Sequence, residues 1–554
     1  MTKRLCPLAL SLAAALGLCA CDYSRYEQGY PVSDRALREI APIDLAAAST
    51  TAPTTKPVIS TVPSTRRADE ILPVPAAPVP LTIEECRQLA LGNNLDLRVE
   101  LFNPTIAREQ VTEERARFES LFTANANHSI TDQATASQLS GNQSKDSNVA
   151  VGVNVPLRTG GNLQFELPIS RSENDNQFST LNPAYSSDFA ASISHPLLRG
   201  AGPAVTNRGI RIAVYQYQST QARTRLEVIR VLADVDRIYW RLYAARQLLD
   251  VRKKEYDLAV AQLERARRQV AAGVVAEVDV VRAESGVADR IEGIINAETD
   301  VRARQRELKQ IVQRPDLHVD SATVVVPAST PNALRYQLDT GLLTRAALDR
   351  RMEMLETEIQ IANETDNVAV ARNQLLPLVS LDYTYNVNGL GRTLPNSFET
   401  LRSKRFEDHR VGLQVEVPLG NQAARSQLRQ ALASRLQAIA TKEQRASLIR
   451  KEVLDATDQL EANWQRIVAA QRRVVLAARV VDLETRQFNL GLRTSTEVLE
   501  AQTRLADAQA AEIAAVTEYQ IAQVDIAVAT GTLLGATEVT WQPTAIGAAP
   551  NERR

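Results

Sequence analysis

Aromatic residues make up only 5% of the 554-residue chain, which also holds just three Met, four His and four Cys. So few rings are thin filling for a globular enzyme core and suit long helices of Ala, Leu, Val and Arg. His128, His195, His318 and His409 are scattered and form no i, i+4 pair. There is no zinc spacing, phosphate-binding loop or nucleophile elbow. Gly200-Ala201-Gly202 before Pro203 reads as a turn, because it lacks the strand–helix setting of a nucleotide site. These absences predict no catalytic residues, no metal and no cofactor. The net charge of −1 provides no basic field for nucleic acid. No apolar run of ~18 residues follows the N-terminus, which excludes a helical membrane protein but not a β-barrel, whose strands are short and half apolar.

The first 20 residues read as a secretory signal, with Lys3 and Arg4 ahead of an apolar run from Leu5 to Leu18. Leu18-Cys19-Ala20-Cys21 resembles the lipobox of bacterial lipoproteins, which implies cleavage before Cys21 and acylation of that residue, palmitate included. Cys86 is then left as the only free thiol, with no disulfide framework. Residues 21–80 form the lipidated N-terminus and a Pro/Thr-rich linker. Pro73-Val74-Pro75 and Pro78-Val79-Pro80 remove donors and fix φ, so this stretch is expected to be extended.

The remainder is written twice. Ala90 to Leu97 aligns with Ala347 to Met354, and the same offset carries Phe118-Glu119-Ser120-Leu121-Phe122 onto Leu375-Leu376-Pro377-Leu378-Val379. A later pairing sets His195-Pro196-Leu197 on Val417-Pro418-Leu419 and Arg268 to Gly273 on Arg486 to Gly491. Repeat 1 spans 81–312, a connecting segment 313–342, repeat 2 343–534 and a tail 535–554. Each repeat reads helix, strands, long helix, Gly turn, helix.

The strands alternate. Val149, Val151, Val153, Val155 and Leu157 share one face, as do Leu163, Phe165, Leu167 and Ile169. Leu381, Tyr383 and Tyr385, then Val411, Leu413, Val415 and Val417, repeat the pattern. Period-two alternation gives one apolar and one polar face, which a soluble sandwich satisfies as well as a membrane barrel. The signal segment and the apparent long polar loops, Thr131 to Asn148 and Gly389 to Asp408, favour the barrel. Repeat 1 is expected to hold four strands within about 121–196 and repeat 2 two within about 380–419.

Val205 to Ala272 and Gln422 to Leu490 carry almost no breakers, and as helices each is roughly 100 Å long. One apolar seam runs Val228, Val231, Val235, Ile238, Leu242, Ala245 and Leu249; the other runs Val453, Thr457, Leu460, Trp464 and Ile467. Steps alternating between three and four specify coiled-coil packing. Segments near 82–118, 276–312, 343–376 and 497–533 read as helices of half that length. The resulting expectation is an α+β membrane protein in which a transmembrane β-barrel joins a long α-helical coiled-coil barrel through two internal repeats.

This order of elements resembles the TolC-like outer-membrane efflux proteins over roughly 81–540. The matching residues are Leu81-Thr82-Ile83-Glu84-Glu85, His195 to Gly200, and the two turns Gly273 to Val280 and Gly491 to Ala501. The extra strand pair in repeat 1 and the long tether depart from the pattern. The resemblance implies a homotrimeric channel in the outer membrane of a Gram-negative-type bacterium, reaching into the periplasm. It would meet a periplasmic adaptor and, through it, an inner-membrane transporter of the RND or ABC class. Gly273, Val274, Val275, Gly491 and Leu492 would be adaptor contacts. Asp279 and Arg493 would form the gate, and Glu497 and Glu500 acidic rings in the pore. The competing expectation is a lipid-anchored coiled-coil structural or adaptor protein of the periplasm without a pore.

Overall fold

The computed structural model describes residues 78–134, 141–176, 178–273, 276–490 and 492–537. The signal segment, Cys21, the tether before residue 78, Val274, Val275, Gly491 and residues 538–554 lie outside the described residues.

In chain order, β1 (Val79–Leu81) leads to α1 (Ile83–Asn93), α2 (Leu95–Glu100) and α3 (Phe102–Ala116). Strands β2 (Leu121–Asp132), β3 (Gln143–Pro156), β4 (Asn162–Asn174) and β5 (Ala184–Pro196) follow. A turn of helix, α4 (Pro203–Thr206), precedes α5 (Arg208–Ala271) and α6 (Glu277–Val312). The second half holds β6 (Val325–Pro327), α7 (Thr340–Arg350), α8 (Met352–Asn373), β7 (Leu378–Gly391), α9 (Leu394–Arg402) and β8 (Glu407–Glu416). It ends with α10 (Gln422–Asn489), α11 (Ser495–Ala529) and the short α12 (Leu533–Ala536). Helices α5 and α10 run 64 and 68 residues without interruption.

The chain forms two compact units. One holds Ile106–Thr220 and Thr357–Lys442. In it, six strands form one antiparallel sheet of order β2-β3-β4-β5-β7-β8. The other contains Gln221–Glu356 with the described residues before Ile106 and after Lys442. Its core forms where the α5 seam meets α1, α6 and α11. Val231, Val235, Tyr239, Leu242 and Ala245 are buried there with Cys86, Leu308, Val312 and Ile521. Tyr239 fixes the chain around the sheet β1–β6: its hydroxyl donates to Leu81 O (3.1 Å) and accepts from Ser329 N–H (2.8 Å).

The structure corrects four sequence expectations. The segments 82–118 and 343–376 are not single helices. They break at Asn94 (ψ 124°) and Arg351 (ψ 130°), which are equivalent positions in the repeat. Asn94 caps the next turn by accepting from Leu97 N–H (2.9 Å) and donates to Ile311 O (3.1 Å). Arg351 instead bonds Glu353 (2.5 Å) and Glu452. Second, the two polar loops are shorter than expected. Strand β3 already begins at Gln143, and β7 runs on to Gly391 before α9. Third, β1 starts inside the segment assigned to the linker, because Val79 to Leu81 pair in parallel with Val325 to Pro327. Fourth, that pairing also gives the connecting segment a strand, β6, and α7 begins at Thr340, within 313–342.

Candidate functional site: the sheet faces and the helix-hairpin turns

In an antiparallel pair, residues directly opposite share a face. The registers therefore place Phe122, Val153, Phe165, Ala191, Tyr385 and His409 in one row across all six strands. That face is largely apolar and, among the described residues, uncovered except where α9 packs on one end. Phe122, Val411, Leu413 and Val415 are each more than half exposed. One end of the band carries amphipathic rings: the Tyr385 hydroxyl donates to Glu407 (3.0 Å), Tyr383 bonds His409 (3.0 Å), and Arg171 lies over Tyr185. Helix α9 packs on the same face at that end. Ser187 and Ser397, both fully buried, share a hydrogen bond of 3.0 Å. A Cβ at Gly391 would stand 2.6 Å from Ser397 N, so the helix needs glycine beneath it.

The opposite face is polar. Asn125, Asn154, Gln164, Ser192, Thr384 and Gln414 are typical of it. Among the described strand residues it also holds Asp146, Glu166, Asp188, Asp382, Asp408 and Glu416, against the single cation Arg410. Four of these six carboxylates have neutral partners: Ser144 for Asp146, Gly389 N–H for Asp188, Ser380 for Asp382 and Asn388 for Asp408, while Glu416 lies 3.3 Å from Arg199.

In the second unit, α5 ends and α6 begins around Gly273. Its φ of +74° is a left-handed conformation that costs a side chain about 1 kcal/mol. At the equivalent end of α10, Leu492 N–H reaches back to Gln487 O (3.0 Å), and Leu492 is 73% exposed. Arg493 is held by its own hairpin: Nη1 lies 2.7 Å from Glu497, Nε 3.4 Å from Glu484, and Nε donates to Gln487 (2.9 Å). Glu497 also accepts from Thr494 N–H (2.7 Å). That backbone bond, then Arg493, holds the Glu497 carboxyl below its ordinary range. Asp279 sits in the first turn of α6 with Arg282 at 3.5 Å. Glu500 has Arg504 at 3.4 Å. The structure thus brings Arg493 and Glu497 together, while within one chain Asp279 has a different partner.

A buried charge cluster not evident from the sequence lies further along these helices. Arg290 of α6 lies 3.4 Å from Glu255 of α5 and donates to Thr503 of α11 (2.5 Å). Glu255 is also held by Arg252 (2.8 Å). The available sequence signal was the i, i+3 spacing of Arg252 and Glu255. Next to this cluster, α6 and α11 border a cleft of about 560 Å³ lined by Arg282, Asp289, Arg290, Glu500 and Arg504. Among the described residues no group of His, Cys, Asp and Glu could hold a metal ion, and no helix is long and apolar enough to cross a membrane.

The family described as outer membrane efflux protein matches residues 162–312 and 343–532, more than half of the chain. The chain belongs to this family. Its fold is that of TolC-like solved structures. One is a membrane protein from Pseudomonas aeruginosa, 19% identical, with a TM-score of 0.62 and coverage of 81% of this chain and 93% of the other. The Campylobacter jejuni CmeC outer membrane channel is 14% identical, with a TM-score of 0.60 and coverage of 81% and 86%. The open state of the Neisseria gonorrhoeae MtrE outer membrane channel is 17% identical, with a TM-score of 0.57 and coverage of 82% and 89%. No curated protein matches.

Proposed function

We propose that three copies of this chain form an outer-membrane export channel, a passive duct that performs no chemistry. The observation that carries the proposal is the two-faced sheet. An apolar side, uncovered among the described residues except beneath α9, suits lipid, and a polar side suits a water-filled lumen. Strands of 10–14 residues are long enough to span a bilayer when tilted. Helix α10 adds support through a second apolar face left uncovered in one chain, with Val475, Leu476 and Leu483 more than half exposed. In a trimer the neighbouring copy would cover it and close the helices into a tunnel.

In this reading Cys21 carries the lipid and assists sorting, while the barrel holds the protein in the membrane. The turns at Gly273, Val274, Val275, Gly491 and Leu492 meet a periplasmic adaptor, which couples the duct to an RND or ABC transporter of the inner membrane. Asp279 and Arg493 exchange their intrachain partners for contacts between copies when the duct closes. An exposed pair is worth ~0–1 kcal/mol, so a threefold set favours closure by ~1–3 kcal/mol. Glu497 and Glu500, repeated three times, make acidic rings that favour cations.

Electrophoresis of the unheated protein tests assembly. A band at trimer mass that collapses to the monomer on heating supports the reading. A monomer at both temperatures matches a lipid-anchored coiled-coil protein without a pore.

A further inference from the structure

We propose that all six strands of each copy enter the barrel wall, so that three copies close a single eighteen-stranded barrel with β2 of one copy paired to β8 of the next. This rests on the trimeric channel reading and goes beyond it by fixing the strand number and the width of the outer mouth.

Four observations lead there. The pair β3–β4 is not an excursion from the sheet. Its register runs unbroken from Ser144↔Asn174 to Pro156↔Asn162, and it is paired on both sides, to β2 and to β5. Its apolar side chains also continue the common face. Val149, Val151 and Val153 stand opposite Ile169, Leu167 and Phe165. A hairpin projecting beyond the membrane would leave that row in water, whereas a wall strand places it in lipid. Next, the sheet ends in two long edges. Each of β2 and β8 pairs with one neighbour only, and the two do not pair with each other. Long apolar edges of this kind are templates for another strand, and closure of the sheet removes them. Finally, the direction is right. Six strands alternate, so β8 runs opposite to β2, and an antiparallel seam between copies continues the pattern already in the sheet.

Barrel diameter grows roughly linearly with strand number, and barrels of 16–18 strands leave an open aqueous channel. The six carboxylates of the polar face, with Arg410 the cation among its strand residues, would give this mouth a negative lining. Cargo leaving through it would meet a wide, acidic exit rather than a second constriction.

Two experiments test the proposal on the full-length protein. In the first, Ala124→Cys is combined in turn with Val411→Cys, Leu413→Cys and Val415→Cys. The four positions share the lipid-side face, and each single variant serves as a control. Oxidation should give crosslinked dimers and trimers for at least one pair. If no pair crosslinks while the protein still migrates as a trimer, the β2–β8 seam is wrong and the channel reading stands. If no trimer forms in the parent protein, both fall. In the second, β3 and β4 are removed by joining Asp132 to Tyr185 through Asn-Gly. This sets Asp132 opposite Tyr185 and keeps the apolar face continuous from β2 to β5. The barrel should drop to twelve strands and its mouth narrow by about a third. Polymers of graded size, added on the extracellular side of a planar bilayer, should reach the parent lumen at radii that the shortened variant excludes. Equal cut-offs for the two would place the hairpin outside the wall and overturn the proposal.

Discussion

Burial decides the chemistry of Cys86, the described cysteine. Desolvation, then Glu85 and Asp236, push its thiol up to about 12, so almost no thiolate exists at neutral pH. Native protein should therefore resist maleimide at pH 8 and label fully once unfolded; rapid native labelling would show that the α1–α5 contact opens readily. Glu497 shifts the other way. Its carboxyl is held below the ordinary value of 4.5 by Thr494 N–H and Arg493. Such a group contributes stability in full above the unfolded value, and the contribution is lost as pH falls through the lowered one. The difference in Tm between the parent and Glu497→Gln should hold steady from about pH 8 to 5 and close below 4.5. A difference that grows on acidification would contradict the cap. The pairing of Arg493 with Glu497 was partly legible, since Arg493 precedes by four residues a Glu in the first turn of the following helix. Its competition with the gate was not, because that depends on which rotamer the hairpin favours.

Elements show where patterning informs and where it stops. The period-3.5 seam of α5 marks its buried line, with Val228, Val235 and Leu242 fully enclosed. The alternating strands likewise mark the face on which apolar side chains gather. The breaks at Asn94 and Arg351 were not legible, because both depend on partners far along the chain, Ile311 and Glu452. Strand β1, three residues long, carries too little pattern to be seen. Helix α9 looked like loop because its seat is a pair of glycines and a buried serine on other strands. The Arg290–Glu255 contact yields a direct prediction. Both side chains are largely buried, and Arg290→Ala leaves Glu255 with Arg252 alone, so stability should fall by about 2–3 kcal/mol. Thermal unfolding of the detergent-solubilised trimer measures it; a loss under about 0.5 kcal/mol would mean that the cluster does not tie α6 to α5. Gly273→Ala should cost about 1 kcal/mol for its left-handed turn.

At the scale of the whole molecule, the duplicated order of helix, strands, long helix and Gly turn was readable from sequence because one offset pairs the first helices and strands and a later pairing aligns the long helices and Gly turns. The first offset carries Ile83–Asn93 onto Thr340–Arg350 and Leu121 onto Leu378. The asymmetry between four strands and two was readable as well. How the sheet closes was not, since closure involves edges that one chain leaves open. The most direct measurement is single-channel recording of the purified protein in a planar lipid bilayer. A trimeric duct should give uniform conductance steps that favour cations. Arg493→Ser should enlarge or lengthen the open state, and Glu497→Ala with Glu500→Ala should lower cation selectivity. Absence of any conductance from folded, membrane-inserted protein would contradict the channel itself. Steps unchanged in both variants would leave the channel standing and remove the gate and the rings.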